Sequence, residues 1–504
     1  VTVYLVGAGP GDPGLLTRRA EALLRKADVV IYDRLVHPAL VALAPPGATL
    51  VDAGKRPGEA HRQAWINEQL VRFGERGGTV VRLKGGDPYV LGRGGEEVEA
   101  LQAAGVPVEV VPGVTSAVAA PELAGVPVTH RGLATSVTIV TGHVGEPSAP
   151  GGVDWAALAA LGGTLVILMG VERRAEIAEA LMAGGRDPET PVAVVERAAG
   201  PRQRTLRTTL AKLGALAVQA PATVVVGPVA GLRLWSAEDR PLHGTGVVLT
   251  RPEGRGETLA TELAALGAEV VELPLQRLAP PADGGVALEA ALADLARFDW
   301  VVFTSAEAVR AVLDRVRDAR ALAGPRLAVV GPGTEAALSE RFLAADLRPP
   351  AGQERAAGLV ACWPEPPAGR QARVLFPRAA AARPELPEGL RAKGYSVQEV
   401  EAYRMEPVPA AELSPQALEA ARQAAVVVLF SPSSAARYRE VVGPLAEQAV
   451  VCVGPTTARA ASELGFEVAA VAARPDPAGV GAAILSALGR AAPQVPEAPG
   501  ASER

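Results

Sequence analysis

Short unbroken apolar runs, each four or five residues long, alternate along the chain with longer segments of mixed character. In the first half these runs are Val3–Val6, Val29–Tyr32, Val80–Leu83, Val137–Thr141 and Leu165–Met169. Val- and Leu-rich runs of that length predict strands buried on both faces, the habit of α/β sheets. Leu15–Lys26 and Glu96–Ala104 carry apolar residues at helical spacing and predict helices between the strands. Asp12-Pro13 offers an acidic cap and a proline near the start of the first helix. The pattern closes near Gly227–Leu234. Polar Ser236–Gly244 predicts a short linker, and a second strand–helix series opens at Val247–Thr250.

The second series contains a repeat. Val302-Phe-Thr-Ser-Ala-Glu-Ala-Val309 matches Leu429-Phe-Ser-Pro-Ser-Ser-Ala-Ala436, and Ala328–Ala336 matches Val451–Arg459 at a similar interval. Two related lobes follow, each placing Ser, Thr or Gly at the carboxyl end of a strand, where open α/β sheets bind ligands. The tail after Arg490, rich in Pro, Ala and Glu, predicts disorder. The expected organisation is α/β throughout: a unit over 1–235, a linker over 236–244, a two-lobed unit over 245–490 and a tail over 491–504.

Composition narrows the function. A chain of 504 residues exceeds one ordinary core. A net charge of −5 gives no global attraction to nucleic acid or acidic membranes, so any anionic ligand needs a local cationic cleft. Cys362 and Cys452 lie far apart without metal-ligand spacing, which predicts buried reduced thiols, no metal and a cytoplasmic setting. No apolar run is long enough to span a bilayer, and no charged segment precedes the first strand, so the expectation is a soluble, untargeted chain.

Candidate chemistry concentrates in Val81-Arg-Leu-Lys-Gly-Gly-Asp-Pro-Tyr-Val-Leu-Gly-Arg-Gly-Gly-Glu-Glu97. Glycines after a strand let backbone approach a polar ligand, and the flanking cations suit an anionic one. Val6-Gly-Ala-Gly-Pro-Gly-Asp12 looks like a dinucleotide turn, but Asp12 stands where the third glycine belongs. Tyr32-Asp-Arg-Leu-Val36, Gly54-Lys-Arg56, Val111-Pro-Gly-Val-Thr-Ser116, Val126-Pro-Val-Thr-His-Arg131 and Val140-Thr-Gly-His143 accompany these two segments in order. Together the seven closely resemble uroporphyrinogen-III C-methyltransferases of the tetrapyrrole methylase family, over about 1–235.

That resemblance implies a two-subdomain α/β unit holding S-adenosylmethionine through Pro10, Gly85, Gly86, Asp87, Val90, Thr115, Ser116, Met169 and Ala198. It implies an octacarboxylate macrocycle as substrate, with Arg56, Arg82, Lys84 and Arg93 as cations for its carboxylates. Asp33 matches the family's proposed base and Lys55 its acid partner. The resemblance also implies a homodimer through this half. One departure stands out: His61-Arg-Gln-Ala-Trp-Ile-Asn67 is one residue short of the usual segment and lacks its acids.

Thr250-Arg-Pro252, Phe298–Ser305, Val330-Gly-Pro-Gly-Thr334, Val374-Leu-Phe-Pro-Arg378, Ala402-Tyr-Arg404, Phe430-Ser-Pro-Ser433 and Val453-Gly-Pro-Thr-Thr457 resemble uroporphyrinogen-III synthases. The implied fold is two lobes joined by a two-stranded connection, with crossings near Leu273–Leu275 and Tyr403. The implied reaction closes hydroxymethylbilane with inversion of its last ring, a positional task that needs no metal or prosthetic group. Thr304, Ser305, Thr334, Ser431, Ser433, Thr456 and Thr457, with Arg251 and Arg378, are candidates for the acetate and propionate arms; Tyr403 matches the group that assists the leaving hydroxyl. The expectation is a bifunctional enzyme making uroporphyrinogen III and then precorrin-2, for sirohaem or cobalamin. The alternative is a methylase of another tetrapyrrole fused to a non-catalytic tetrapyrrole-binding sensor or scaffold.

Overall fold

The computed structural model describes residues 2–54, 62–143, 152–252 and 257–490. They group into two compact units. One takes the chain up to Val247 with Thr261–Val270 and the segment from Ile484; the other takes Val248–Ala260 and Val271–Ala483.

In the first unit, β1 (Thr2–Gly7), β2 (Val29–Tyr32), β3 (Thr49–Asp52), β4 (Thr79–Lys84) and β5 (Val108–Val111) form a parallel sheet in the order β3-β2-β4-β1-β5. Parallel neighbours need crossovers, and α1 (Arg18–Leu24), α2 (Pro38–Val41), α3 (Arg62–Arg76) and α4 (Gly94–Ala103) lie between successive strands. Val6, Val30, Val81 and Leu83 face Ala20 and Leu24 of α1 and Leu40 of α2. On the other face Val3, Leu5, Ile31 and Val80 pack against Ile66 and Leu70 of α3 and Leu101 of α4. The helix expected over Leu15–Lys26 is two pieces. Asp12 Oδ1 accepts from Gly14 N (2.8 Å) and caps a 3-10 turn at Pro13–Leu15; Thr17, in extended backbone, accepts from Ala20 N and starts α1 anew.

A second sheet has the order β6-β7-β10-β8-β9, from β6 (Val137–Thr141), β7 (Thr164–Leu168), β8 (Pro191–Glu196), β9 (Arg204–Thr209) and β10 (Ala222–Val226). Only β6 and β7 pair in parallel among these neighbours. The helix α5 (Ser116–Leu123) leaves the first sheet and packs on the second: Ala117 meets Val166 and Leu168, while Ala120 joins Val195 and Val225. β7 stops at Leu168 rather than Met169, because Met169 turns into left-handed backbone at φ 56°. Ser236–Gly244, expected as a linker, is ordered. Ser236 and Asp239 form a reciprocal capping box around a 3-10 turn, and Leu242 is fully buried.

The remaining strands are β11 (Gly246–Leu249), β12 (Glu269–Glu272), β13 (Gln276–Ala279), β14 (Trp300–Phe303), β15 (Arg326–Val329), β16 (Arg373–Ala379), β17 (Ser396–Pro407), β18 (Val426–Leu429), β19 (Ala449–Val453) and β20 (Val468–Ala472). They form two sheets, β12-β11-β18-β19-β20 and β13-β17-β16-β14-β15. The internal repeat is visible here: β14, the helix Ala306–Leu313, β15 and the helix Pro332–Ser339 in one lobe match β18, Pro432–Val441, β19 and Pro455–Glu463 in the other. Leu275 and Val408 pack into the core of the β18 lobe, while β13 and β17 run antiparallel into the other with Gln276 opposite Pro407. Val408 N donates to Leu275 O, tying the two connections together. β17 continues through Tyr403 to Pro407, so this connection follows the tyrosine by a few residues. Among the described residues no helix is long and apolar enough to cross a membrane.

Candidate active sites

The carboxyl ends of β1, β2, β4 and β5 converge on glycine-rich turns. Gly86 N donates to Gly9 O (2.7 Å) and Gly9 N to Gly86 O (3.2 Å), so the turn after β1 is laced to the one after β4. A Cβ on Gly86 would stand 3.7 Å from Ser116 N and 3.9 Å from Thr115 Cα; one on Gly11 would stand 3.3 Å from Ala198 O. Since Ala117 packs on Leu168, the end of β7 with exposed Met169 lies against the start of α5. Gly86 thus lies beside Thr115 and Ser116, the turn holding Pro10 and Gly11 lies beside Ala198, and Met169 follows the strand on which α5 packs. Val90 follows Asp87 on the loop after β4, partly exposed.

This edge offers mostly backbone. Asp87 Oδ1 accepts from Tyr89 N (2.8 Å) and Oδ2 from Gly113 N (3.0 Å), so the carboxylate braces its own loop against the turn after β5. Gly85 is exposed, and a Cβ there would meet only Leu35 Cβ, at 3.9 Å. Such a bare edge fits a flat nucleoside-bearing ligand gripped by main-chain groups.

Asp33 follows β2, its N–H donating to Leu83 O across the sheet. Its side chain is about one third exposed, and Oδ1 accepts from Arg82 Nη2 at 2.6 Å. Arg82 and Lys84 alternate with Val81 and Leu83 on central strand β4, both under 4% exposed. Arg82 Nε and Lys84 Nζ both meet Glu97 Oε1 (3.2 and 2.9 Å), and Gln63 Nε2 joins them at 3.3 Å. Burial acts to lower the Arg82 guanidinium, but Asp33 and then Glu97 outweigh it and hold the group above its ordinary value. Lys84 goes the other way: burial, then the neighbouring Arg82, pull its ammonium below the usual lysine range. Arg82 and Lys84 thus face inward, and the expectation that they bind macrocycle carboxylates is corrected. Strand alternation turns both toward α3 and α4, where Glu97 takes them up. Arg93 remains half-exposed at the start of α4, paired with Glu96 (Nη2–Oε2 2.6 Å). Lys55 and Arg56 lie outside the described residues.

In the two-lobed region, Tyr403 Oη donates to Ser305 Oγ at 3.0 Å, and Ser305 Oγ in turn accepts from Ala308 N, capping the helix after β14. Burial pushes the Tyr403 phenol above the ordinary tyrosine range despite that bond. Across the connection, Ser433 Oγ donates to Gln276 Oε1 (3.2 Å) and lies 3.0 Å from Ser431 Oγ. The Arg251 guanidinium stacks 4.5 Å from the Phe430 ring centroid, with burial lowering its pKa. Thr304, just past β14, and Thr456, in the first turn of the helix Pro455–Glu463, are partly exposed. Thr334 and Thr457 are corrected: equivalent positions of the repeat, they sit buried in the first turns of their helices. Arg378 is partly exposed; its Nε pairs with Glu399 (2.8 Å) and its Nη1 donates to the carbonyls of Ala379 and Ala380.

Residues 2–214 match the family model of the tetrapyrrole (corrin/porphyrin) methylases, and residues 257–481 match that of uroporphyrinogen-III synthase HemD. A porphyrin biosynthesis protein HemD from Ruminiclostridium josui is 38% identical over 419 residues, covering 80% of this chain and 81% of its own. The chain belongs to both families, methylase first and synthase second. It is therefore a bifunctional enzyme of tetrapyrrole biosynthesis. The S-adenosyl-L-methionine-dependent uroporphyrinogen III methyltransferase of Methanosarcina barkeri is 50% identical over 243 residues, 95% of that protein but 47% of this chain. A crystal structure of uroporphyrin-III C-methyltransferase from Thermus thermophilus, complexed with S-adenosylhomocysteine, is 48% identical, spans 45% of this chain and 98% of its own, and superposes with a TM-score of 0.41.

In this methylase–synthase chain the residues missed at the sequence level are Glu97, Gln63, Gln276 and Phe430. Glu97 had a signal. It precedes Leu101 by one helical turn and so falls on the buried stripe of α4. Gln63 and Gln276 had none, since a neutral amide reads like any surface residue. Among the described residues no group of three His, Cys, Asp or Glu side chains is placed to hold a metal ion. His130 Nδ1 lies 2.9 Å from Arg131 O, and His143 is exposed.

Proposed function

We propose that the chain closes hydroxymethylbilane to uroporphyrinogen III with inversion of ring D, then methylates that product at C2 and C7 to give precorrin-2. The observation that carries the methylase reading is Asp33, a carboxylate at the end of β2, bonded through its N–H to β4 just before the Gly85-Gly86 turn and backed by a buried cation. Pro10, Gly85, Gly86, Asp87, Val90, Thr115, Ser116, Met169 and Ala198 would hold S-adenosylmethionine, which supplies an electrophilic methyl group. The bare backbone of the strand-end turns fits that ligand. Once a new C–C bond forms, the macrocycle carries a positive charge and must lose a proton. Asp33 accepts it, and the C–H electron pair returns to the ring system. Lys55 is the proposed acid partner, with Arg56 and Arg93 facing carboxylate arms.

In the synthase half, Tyr403 assists departure of the hydroxyl, which leaves as water with a proton passed through the tyrosine. Ser305, Ser431, Ser433, Thr304, Thr456 and Arg251 hold the arms so that the inverted closure wins over the symmetric one. Tyr403→Phe lowers the cyclisation rate about tenfold or more and leaves isomer III as the main product. Stopped-time isomer analysis checks this, and an unchanged rate would remove Tyr403 from the mechanism. Two unpaired thiols, one of them fully buried, support a reducing cytoplasmic setting. A homodimer through the methylase half is part of the proposal, and sedimentation tests it.

The methylase assignment is tested with methyl-labelled S-adenosylmethionine and a panel of tetrapyrroles. Two labels per molecule of uroporphyrinogen III are expected, and none on later corrinoids. Label appearing chiefly on a different tetrapyrrole would overturn the substrate.

A further inference from the structure

Resting on the assignment of Asp33 as base, we propose that Arg82, anchored on buried Glu97, is the positioning residue that holds the Asp33 carboxylate for proton removal. Arg82 stands in the central strand of its sheet, in register with Leu5 on one side and Ile31 on the other. An arginine buried there is costly unless every nitrogen is engaged. All three are. Nη2 reaches Asp33 Oδ1 at 2.6 Å, Nε reaches Glu97 Oε1 at 3.2 Å, and Nη1 lies 3.3–3.4 Å from the carbonyls of Leu83 and Ile31. These contacts fix the plane of the guanidinium and with it the direction from which Asp33 is held.

The burial gradient runs one way. Glu97 is fully buried, Arg82 is 2% exposed, and the Asp33 side chain is 31% exposed. Lys84 and Gln63 also contact Glu97 Oε1, so Glu97 is anchored without drawing Arg82 away from Asp33. A pair serving stability alone has no need to end on a partly exposed carboxylate. A lysine at 82 does not substitute. One ammonium lacks the planar fork that reaches two carboxylates and two carbonyls in different directions.

The test is a double-mutant cycle on the full-length chain, reading methyl transfer to uroporphyrinogen III together with affinity for S-adenosylhomocysteine. Arg82→Gln is expected to lower kcat about 30- to 100-fold, the size of a misplaced catalytic group. KM for the macrocycle and Kd for S-adenosylhomocysteine stay within about threefold, and Arg82→Lys restores little of the loss. On an Asp33→Asn background the same Arg82→Gln change costs less than about twofold, because the residue it acts through is already gone. Equal losses in both backgrounds, or a normal kcat for Arg82→Gln beside an inactive Asp33→Asn, overturn the proposal while leaving Asp33 as base. If Asp33→Asn itself keeps its kcat, the base assignment fails and the proposal with it. Should Arg82→Gln fold poorly, Arg82→Gln/Glu97→Gln removes one buried charge of each sign. A folded double variant with kcat still depressed supports positioning; one with kcat restored shows that only charge balance mattered.

Discussion

Asp33→Ala lowers methyl transfer to uroporphyrinogen III by about 10²- to 10⁴-fold, the range expected for losing a general base, while isomer III formation from hydroxymethylbilane stays at its original rate. The asymmetry follows from where the residue sits. Asp33 lies at the end of β2 in the methylase unit, where its side chain pairs with Arg82 of the same sheet. Its removal leaves Arg82 without one partner, but Glu97 and two carbonyls still hold that side chain. Folding is therefore expected to survive, with a lowered melting temperature in the methylase unit because one buried guanidinium nitrogen loses its partner. Loss of both activities would mean that the two catalytic units are not separable as proposed.

Gly113→Ala is the second large effect, and it acts through space rather than charge. A Cβ at residue 113 would lie 2.6 Å from Gly7 Cα and inside contact distance of Gly86 O. All of these neighbours are backbone at the ends of β1, β4 and β5, so no side chain can swing aside. Relief requires moving the strand ends proposed to hold the cofactor. The expected cost is about 3 kcal/mol, a fall of roughly 6–12 °C in the melting of that unit. S-adenosylhomocysteine affinity should fall at least about tenfold as well, since a 1 Å displacement of binding groups is costly. Gly47→Ala, in an exposed turn where a Cβ meets nothing within 4 Å, is the matched control. Calorimetry of both variants decides the matter; a Gly113→Ala protein that melts and binds like the control contradicts the geometry.

Much of the architecture was legible because buried parallel strands write themselves as short Val/Leu runs. Val29–Tyr32 and Val137–Thr141 are strands with those bounds. The lobe repeat was legible for the same reason, each copy pairing a strand with a capped helix. What failed was direction. Arg82 and Lys84 lie beside glycines and looked like ligand cations, but period-two alternation on a central strand turns them under α4 toward an acid thirteen to fifteen residues away. No local pattern states that pairing. Thr334 and Thr457 failed similarly, because a residue in the first turn of a helix after a strand end faces inward as readily as outward. The order within Ser236–Gly244 was not legible from its polarity, since its capping box satisfies backbone groups while Leu242 is buried.

The proposal that one chain carries out two consecutive steps is tested most directly by feeding it freshly generated hydroxymethylbilane, first without and then with S-adenosylmethionine, and identifying the macrocycles formed. Without the methyl donor the expected product is predominantly uroporphyrinogen III; with it, a dimethylated derivative of that same isomer. Predominantly isomer I in the first reaction, as in a protein-free control, would contradict the account at its centre.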